Sequence, residues 1–372
     1  MEKLKALSLF SGAGGMDIGV KKAGFHILAE IEMDKHCCDT LRAAKDRESA
    51  ETIIIESDIK EIDPISLEKL INYKPGEIDL LFGGPPCQAF SLIGKQLSLN
   101  DERGLLLFEI IRFAEHFKPK VILLEQVKGL LSAKGPNGKR GEVFELFLSE
   151  LERINYVPKW QVCCAADYGV PQMRERVFIV ATYGHNGYSF PIKTHIPQNE
   201  YPDLLGLQPY VTVGQAISGL DNPYVKQRRG EIFFGRTDSH VDVTPERDRE
   251  RIEKVPEGSY LAAQTHLDRS LIGNLQAKDT TKYLRLNRKK PSNTLRCGEI
   301  FYHPTEDRYL TPREYMRIHG YDDDYELRGP IRSRTGTVKN LDQHRQVANS
   351  VPPPLAYAIS KQIGRYINEQ DI

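Results

Sequence analysis

Phe82-Gly83-Gly84-Pro85-Pro86-Cys87-Gln88-Ala89-Phe90-Ser91 is the stretch on which the reading of this chain turns. It follows an apolar run, Ile78 to Phe82, that reads as a buried strand. Two glycines and two prolines stop that strand abruptly, and the next residue is a cysteine. Glycine lets the backbone pass close to another molecule, and proline fixes φ and withdraws a donor, so the turn is stiff. A thiol on a rigid loop at the carboxyl end of a buried strand is placed for a nucleophile, because open α/β sheets bind ligands there. The competing reading of any one cysteine is a buried structural thiol. Packing alone does not ask for Pro-Pro-Cys-Gln, which favours chemistry.

Around this stretch lies a chain of 372 residues, long enough for a large core and two domains. Its formal net charge is zero, so a nucleic-acid surface would have to be a local patch. No secretory apolar segment is expected after Met1-Glu2-Lys3, and no run is long enough to span a bilayer. The six cysteines, Cys37, Cys38, Cys87, Cys163, Cys164 and Cys297, form no Cys-x-x-Cys pair, and His-Glu-x-x-His is absent, so no metal site is expected. Unpaired thiols fit a reducing cytoplasm.

Upstream, Leu4 to Phe10 reads as a first strand, and Ser11-Gly12-Ala13-Gly14-Gly15 as a tight turn into a helix ending near Ala23. Such a turn is where a Rossmann-like sheet receives a cofactor. The dinucleotide fingerprint needs a glycine at position 17, where this chain has Asp17, so a nicotinamide is disfavoured. His26 to Glu32 reads as the second strand, ending in the acids Glu30 and Glu32. An acid at that tip can accept from both ribose hydroxyls of an adenosine; otherwise it is a solvated acid at a helix start, with Asp34 capping Lys35 to Ala44. Thr52 to Glu56 is a short strand followed by Ser57-Asp58-Ile59, a further polar edge able to read an adenine amino group.

Downstream, Leu92 to Arg103 is polar and aperiodic, either a lid beside the nucleophile or a plain surface loop. Gly104 to Phe117 is an amphipathic helix. Val121 to Leu124 is a fifth strand presenting Glu125 at its end, as a partly desolvated proton donor or as a cap for the next segment. After a helix, Glu142 to Ile154, and a strand, Tyr156 to Ala165, comes Gln172-Met173-Arg174-Glu175-Arg176, leading into the strand Val177 to Thr182. Alternation predicts Gln172, Arg174 and Arg176 on one face, suited to a polar heterocycle or phosphate, or else to a surface ladder with Glu175.

Beyond Tyr183 the texture changes. Gly184 to about Arg285 is rich in Pro, Gly, Tyr and charge and reads as a smaller domain, with strand-like pieces at Tyr210–Val213 and Ile232–Phe234 and a charged helix at Pro245–Lys254. Basic clusters at Arg228-Arg229 and between Lys278 and Lys290 are phosphate contacts or solvated faces. Near the end, Thr311, Pro312 and Glu314 spell a capping box with proline in the first turn. Gln346 to Pro352 opens a last helix to about Ile367, expected to pack back on the first domain.

Together these pieces resemble the cytosine-5 DNA methyltransferases of bacterial restriction–modification systems, in the family's motif order and across both ends of the chain. Phe10-Ser11-Gly12-Ala13-Gly14-Gly15 looks like the S-adenosylmethionine loop, with Phe10 against the adenine. Glu32, with Met33 beside it, matches the ribose-binding acid, and Asp58-Ile59 the adenine-reading pair. Pro86-Cys87-Gln88 looks like the catalytic motif, and Arg103-Gly104-Leu105-Leu106 like a further cofactor contact. Glu125-Gln126-Val127 stands where the family usually has Glu-Asn-Val, Gln172-x-Arg174-x-Arg176 is intact, and Asn349-Ser350-Val351 follows Ala348 where glycine is usual.

The resemblance implies an α/β fold, a Rossmann-like methyltransferase sheet with a second, smaller target-recognition domain. The catalytic domain would be 1–185 completed by 340–372, the target-recognition domain 186–290, and 291–339 a hinge. It implies a Cys87 thiolate that attacks carbon 6 of a cytosine flipped out of duplex DNA, activating carbon 5 for a methyl group from S-adenosylmethionine. Glu125 would act at ring nitrogen 3, and Arg176, with Arg174 beside it, at the ring carbonyl. The implied protein is a cytoplasmic, nucleoid-associated monomer acting on double-stranded DNA, without metal or membrane, paired in function with a restriction endonuclease. RNA as substrate, or a non-catalytic regulator with this fold, are the competing readings; an intact Pro-Cys, Glu125 and Gln-x-Arg-x-Arg oppose the latter.

Overall fold

The computed structural model describes residues 3–48, 51–86, 106–185, 187–200, 206–225, 238–276, 278–332 and 340–370. Apolar runs ended by glycine or acid give the strands β1 (Leu4–Leu9), β2 (Phe25–Glu32), β3 (Ile53–Glu56), β4 (Leu80–Gly83) and β5 (Val121–Gln126). The helices α1 (Gly15–Lys22), α2 (Lys35–Glu48), α3 (Pro64–Ile71), α4 (Leu106–Phe117) and α5 (Glu142–Arg153) alternate with them or follow them. Then come β6 (Tyr156–Cys164), the two-residue β7 (Gln172–Met173) and β8 (Glu175–Tyr183).

The chain divides into two compact units. The first holds residues 1–164, 175–192 and 355–372; the second holds 165–174 and 193–354. In the first, seven strands lie in the order β3-β2-β1-β4-β5-β8-β6. The pairs from β3 to β5 are parallel, and β8 runs antiparallel to both β5 and β6. This is the mainly parallel, Rossmann-like sheet expected from the sequence. Its strand order reverses at β1 and β4, so the loops after those strands flank the crevice where open α/β sheets take ligands. Leu7, Leu9, Leu81, Ile122, Leu124, Val177 and Ile179 form the sheet's share of the core, against Ile110, Phe113 and Phe117 of α4 and Phe147 of α5. The C-terminal helix, Pro353–Gln370, runs into this unit, where Gly364 lies against Phe25 and Leu4.

The second unit has little regular structure and is tied by polar pairs. Arg308 grips Glu314 through both terminal nitrogens (2.7 and 2.8 Å), and Arg285 reaches Asp307 (2.6 Å). The capping box read at Thr311 is present in full, with Pro312 opening the helix Pro312–His319. Two expectations fail here. The piece Tyr210–Val213 is not a strand: Thr212 and Gln215 form a second capping box that opens a helix at Val213. Gln172 to Arg176 is not one extended strand either, because Arg174 N–H donates to Gln172 C=O (2.9 Å) and turns the chain between β7 and β8. The pieces Arg228-Arg229 and Ile232–Phe234 lie outside the described residues.

Candidate active site

At the end of β1 the backbone turns through three left-handed residues, Phe10 (φ 56°), Gly12 (φ 56°) and Gly14 (φ 77°). Glycine tolerates this freely, but phenylalanine does not, and strain of this kind collects at ligand loops. Among the described residues, a Cβ on Gly12 would meet nothing within 4 Å, so the loop faces open space there. Gly15 is buried as the first residue of α1.

Glu32, at the tip of β2, organises this loop. One carboxylate oxygen accepts from Gly12 N–H (2.8 Å), the other from Met33 and Asp34 N–H (2.8 Å each). A carboxylate has about four lone-pair directions, so three are spent on backbone, leaving one on Oε2. Among the described residues, that Oε2 direction carries no backbone donor. Burial pushes the Glu32 carboxyl above its ordinary range, against the pull of those N–H donors. Met33 is exposed. Asp34 accepts from Cys37 N–H (3.0 Å), the cap foreseen for α2. Asp58 caps a short 3-10 turn through Lys60 N–H (3.1 Å), and Ile59 is buried beneath.

Gly83 pairs with Leu9 on one side and Leu124 on the other, and any side chain there would collide with the Leu9 carbonyl. Gly84 follows. A Cβ on it would lie 3.3 Å from Glu125 Oε2 and 3.9 Å from the methyl of Met16, so the turn runs between the end of β5 and α1. Glu125 is buried, and Arg176 Nε meets its Oε1 at 2.8 Å, with the two side chains only 12% and 15% exposed. The β5–β8 pairing makes this contact, since Glu125 lies opposite Phe178, two residues from Arg176. Gln126, fully inside, donates its amide to the Pro85 carbonyl. The residue that departs from the family's usual asparagine thus holds the proline turn, a role that the sequence reading did not assign. Pro86 is exposed at the end of the described turn, and Leu106 packs at the start of α4. Cys87 and residues 88–105, with the lid segment and Arg103-Gly104-Leu105, lie outside the described residues.

Asp17 was read only as a missing glycine, yet it is a feature of its own. It is buried in α1, and burial and then Glu30 push its carboxyl up to about 8. The Ser8 hydroxyl, itself 2.8 Å from Ser11 Oγ, and Lys21, paired with Glu30 at 2.9 Å, pull the other way. Cys37 and Cys38 are buried in α2, where burial pushes the Cys38 thiol up to about 12 and Cys37 well up too, as suits structural thiols.

Arg174, Asn349 and Ser350 belong to the second unit. Arg174 is buried and donates from Nη2 to the Ser350 carbonyl (3.0 Å). The exposed Asn349 takes a contact from Cys297 Sγ at 2.6 Å. Among the described residues no cluster of three or more His, Cys, Asp or Glu could hold a metal, and no helix is long and apolar enough to cross a membrane.

Comparison with known proteins gives this geometry a context. The family model for C-5 cytosine-specific DNA methylase matches residues 4–365. A type II methyltransferase of Psychrobacter, M.PspPI, is 34% identical over 97% of this chain and 79% of its own length. Another, M.AquIA of Picosynechococcus, is 42% identical over 59% of this chain and 90% of its own. Among solved structures, a DNA modification methyltransferase encoded in an E. coli prophage superposes with TM-score 0.69 at 21% identity, over 98% of this chain and 99% of the other.

Proposed function

The chain belongs to the C-5 cytosine-specific DNA methylase family, and from that membership we propose that it methylates carbon 5 of cytosine in double-stranded DNA, as the modification enzyme of a type II restriction–modification pair. The observation that carries this reading is the buried Glu125–Arg176 pair, set against Gly84 in the turn that leads to Pro86-Cys87.

The residues at the β1–β2 edge fit S-adenosylmethionine: open space before Gly12, a strained loop, and one acceptor direction left on Glu32. Phe10 would face the adenine, Glu32 the ribose, and Asp58 with Ile59 the adenine edge; Pro86, Leu106, Asn349 and Ser350 are assigned to the same group from the matching motifs. When bound, this group supplies a methyl on a positively charged sulfur. The protein's own work is at the cytosine ring. Cys87, as thiolate, adds to carbon 6, which gives carbon 5 enamine character. Charge that develops on the ring is met by Arg176 at the carbonyl and by Glu125, in its protonated form, at nitrogen 3, two side chains already held together before a base arrives. A water acting as base then takes the carbon-5 proton, and Cys87 is expelled as thiolate. A cytosine inside a duplex cannot reach such groups, so it is flipped out. Target reading is assigned to residues of about 186 to 290, where composition changes.

Transfer of labelled methyl from S-adenosylmethionine to duplex DNA, with RNA as the parallel arm, tests the reading. Bisulfite sequencing of DNA from an expressing host should show one methylated sequence context. Methyl incorporation into RNA alone, or into neither, would overturn it.

A further inference from the structure

The segment Gln172–Arg174 and the segment Asn349–Val351 are joined through a residue that neither motif contains. His319, the last residue of the helix Pro312–His319, is fully buried. Its Nδ1 lies 2.9 Å from Gln172 Nε2, and its Nε2 lies 3.0 Å from the Ser350 carbonyl. The directions of these bonds are fixed by the backbone. Leu295 N–H can only donate, and it meets Gln172 Oε1 at 3.0 Å, so the Gln172 NH₂ faces the ring. His319 Nδ1 must then accept, the ring proton sits on Nε2, and that N–H donates to Ser350 C=O. The same carbonyl takes Arg174 Nη2 at 3.0 Å.

We infer that His319 is a positioning residue for methyl transfer: as the neutral Nε2–H tautomer, it couples the Gln172–Arg174 segment to the Ser350 backbone. A proton on Nδ1 would set N–H against N–H at Gln172 and open the relay. Groups facing the ring include Gln172, the Ser350 carbonyl, the Arg174 guanidinium on that carbonyl, and the Tyr321 ring at 6.1 Å, tilted by 26°. The inference rests on the reading above in one respect, that Ser350 and its neighbour Asn349 serve the methyl donor while Arg174 leads two residues on to Arg176. Within the second unit, one tautomeric ring therefore ties the backbone of both segments.

Glutamine at this position would supply one acceptor and one donor without a titrating ring; leucine would supply neither. In the full-length protein, ¹⁵N-histidine NMR, with the His319 signal identified by its loss in His319→Gln, should report an Nε2–H tautomer at neutral pH. His319→Gln should keep kcat/KM within about threefold. His319→Leu, assayed well below its unfolding temperature, should raise KM for S-adenosylmethionine and lower kcat by about tenfold each. An Nδ1–H tautomer or an imidazolium at neutral pH would overturn the inference. So would His319→Gln as impaired as His319→Leu, or a folded His319→Leu with the parent's kinetics. If His319→Leu does not fold, the tautomer and the kinetics of His319→Gln still decide. A parent that transfers no methyl group would sink the functional reading, while the tautomer would still decide the relay.

Discussion

Glu32→Gln removes a charge without changing size, and its consequence can be worked from the hydrogen bonds. Glutamine has one carbonyl oxygen. Turned toward Met33 and Asp34, it keeps both of those N–H bonds but sets its NH₂ against Gly12 N–H, which the carboxylate now accepts at 2.8 Å. Turned the other way, it loses two bonds to keep one. A hydrogen bond to a charged group contributes about 1.5–3 kcal/mol, and a partly buried donor left facing another donor costs a similar amount. The cheaper orientation therefore destabilises the first unit by about 2–3 kcal/mol and releases the Gly12 turn. With the turn loose and the spare Oε2 direction gone, affinity for S-adenosylmethionine should fall by about 10- to 100-fold, at 1.4 kcal/mol per factor of ten. Asp58→Asn is the contrast: its one cap to Lys60 N–H survives in asparagine, so stability should hold while cofactor affinity drops. Thermal unfolding and titration calorimetry read the two effects separately. A Glu32→Gln protein with the parent's stability would refute the role in the loop, whatever its affinity; unchanged affinity would refute the ligand role.

Asp17, pushed up to about 8 by burial and by Glu30, should retain its proton at neutral pH in the folded state and lose it near the ordinary aspartate value of 3.8 when unfolded. Its contribution to stability is full below that lower value and is lost as pH rises to about 8, by up to about 1.4 kcal/mol per unit. Asp17→Asn should abolish that slope, so its stability relative to the parent should climb between those limits and level off above. Parallel pH profiles of the two unfolding temperatures would contradict the assignment. Gly83→Ala and Gly84→Ala should part company: the first drives a methyl into the Leu9 carbonyl and should fail to fold stably, whereas the second presses on Glu125 Oε2 and should fold with methylation reduced by about tenfold or more. Equal unfolding temperatures for these two variants would be the contrary result.

Much of the first unit was legible because its signals are local. An apolar run followed by glycine, as at Leu4–Gly15 or Ile78–Gly84, names both a strand and the loop that ends it. Thr311-Pro312-Arg313-Glu314 announced its helix start for the same reason. The capping box at Thr212 was equally local and was obscured only by the β-branched residues beside it. What local pattern cannot carry is partnership across the chain. The break at Arg174 answers to a bond with Ser350, 176 residues away, and the alternation rule has no view of it. Gln126 reads as a neutral departure from a motif until its amide is seen on Pro85. Asp17 and Glu30 are adjacent only because α1 packs on β2, which turns two ordinary acids into one buried cluster.

The central claim is the covalent step at Cys87, and a fluorinated substrate tests it most directly. Fluorine at carbon 5 cannot leave as a proton does, so the reaction should stall after methyl transfer with the thiol still bonded to carbon 6. A target duplex carrying 5-fluorocytosine should then give a denaturation-resistant protein–DNA adduct that requires S-adenosylmethionine and maps by mass spectrometry to Cys87. Cys87→Ala should give none, Cys38→Ala and Cys164→Ala should match the parent, and Glu125→Gln should form the adduct more slowly while still binding DNA. An adduct that persists in Cys87→Ala, or that maps to another cysteine, would contradict the account.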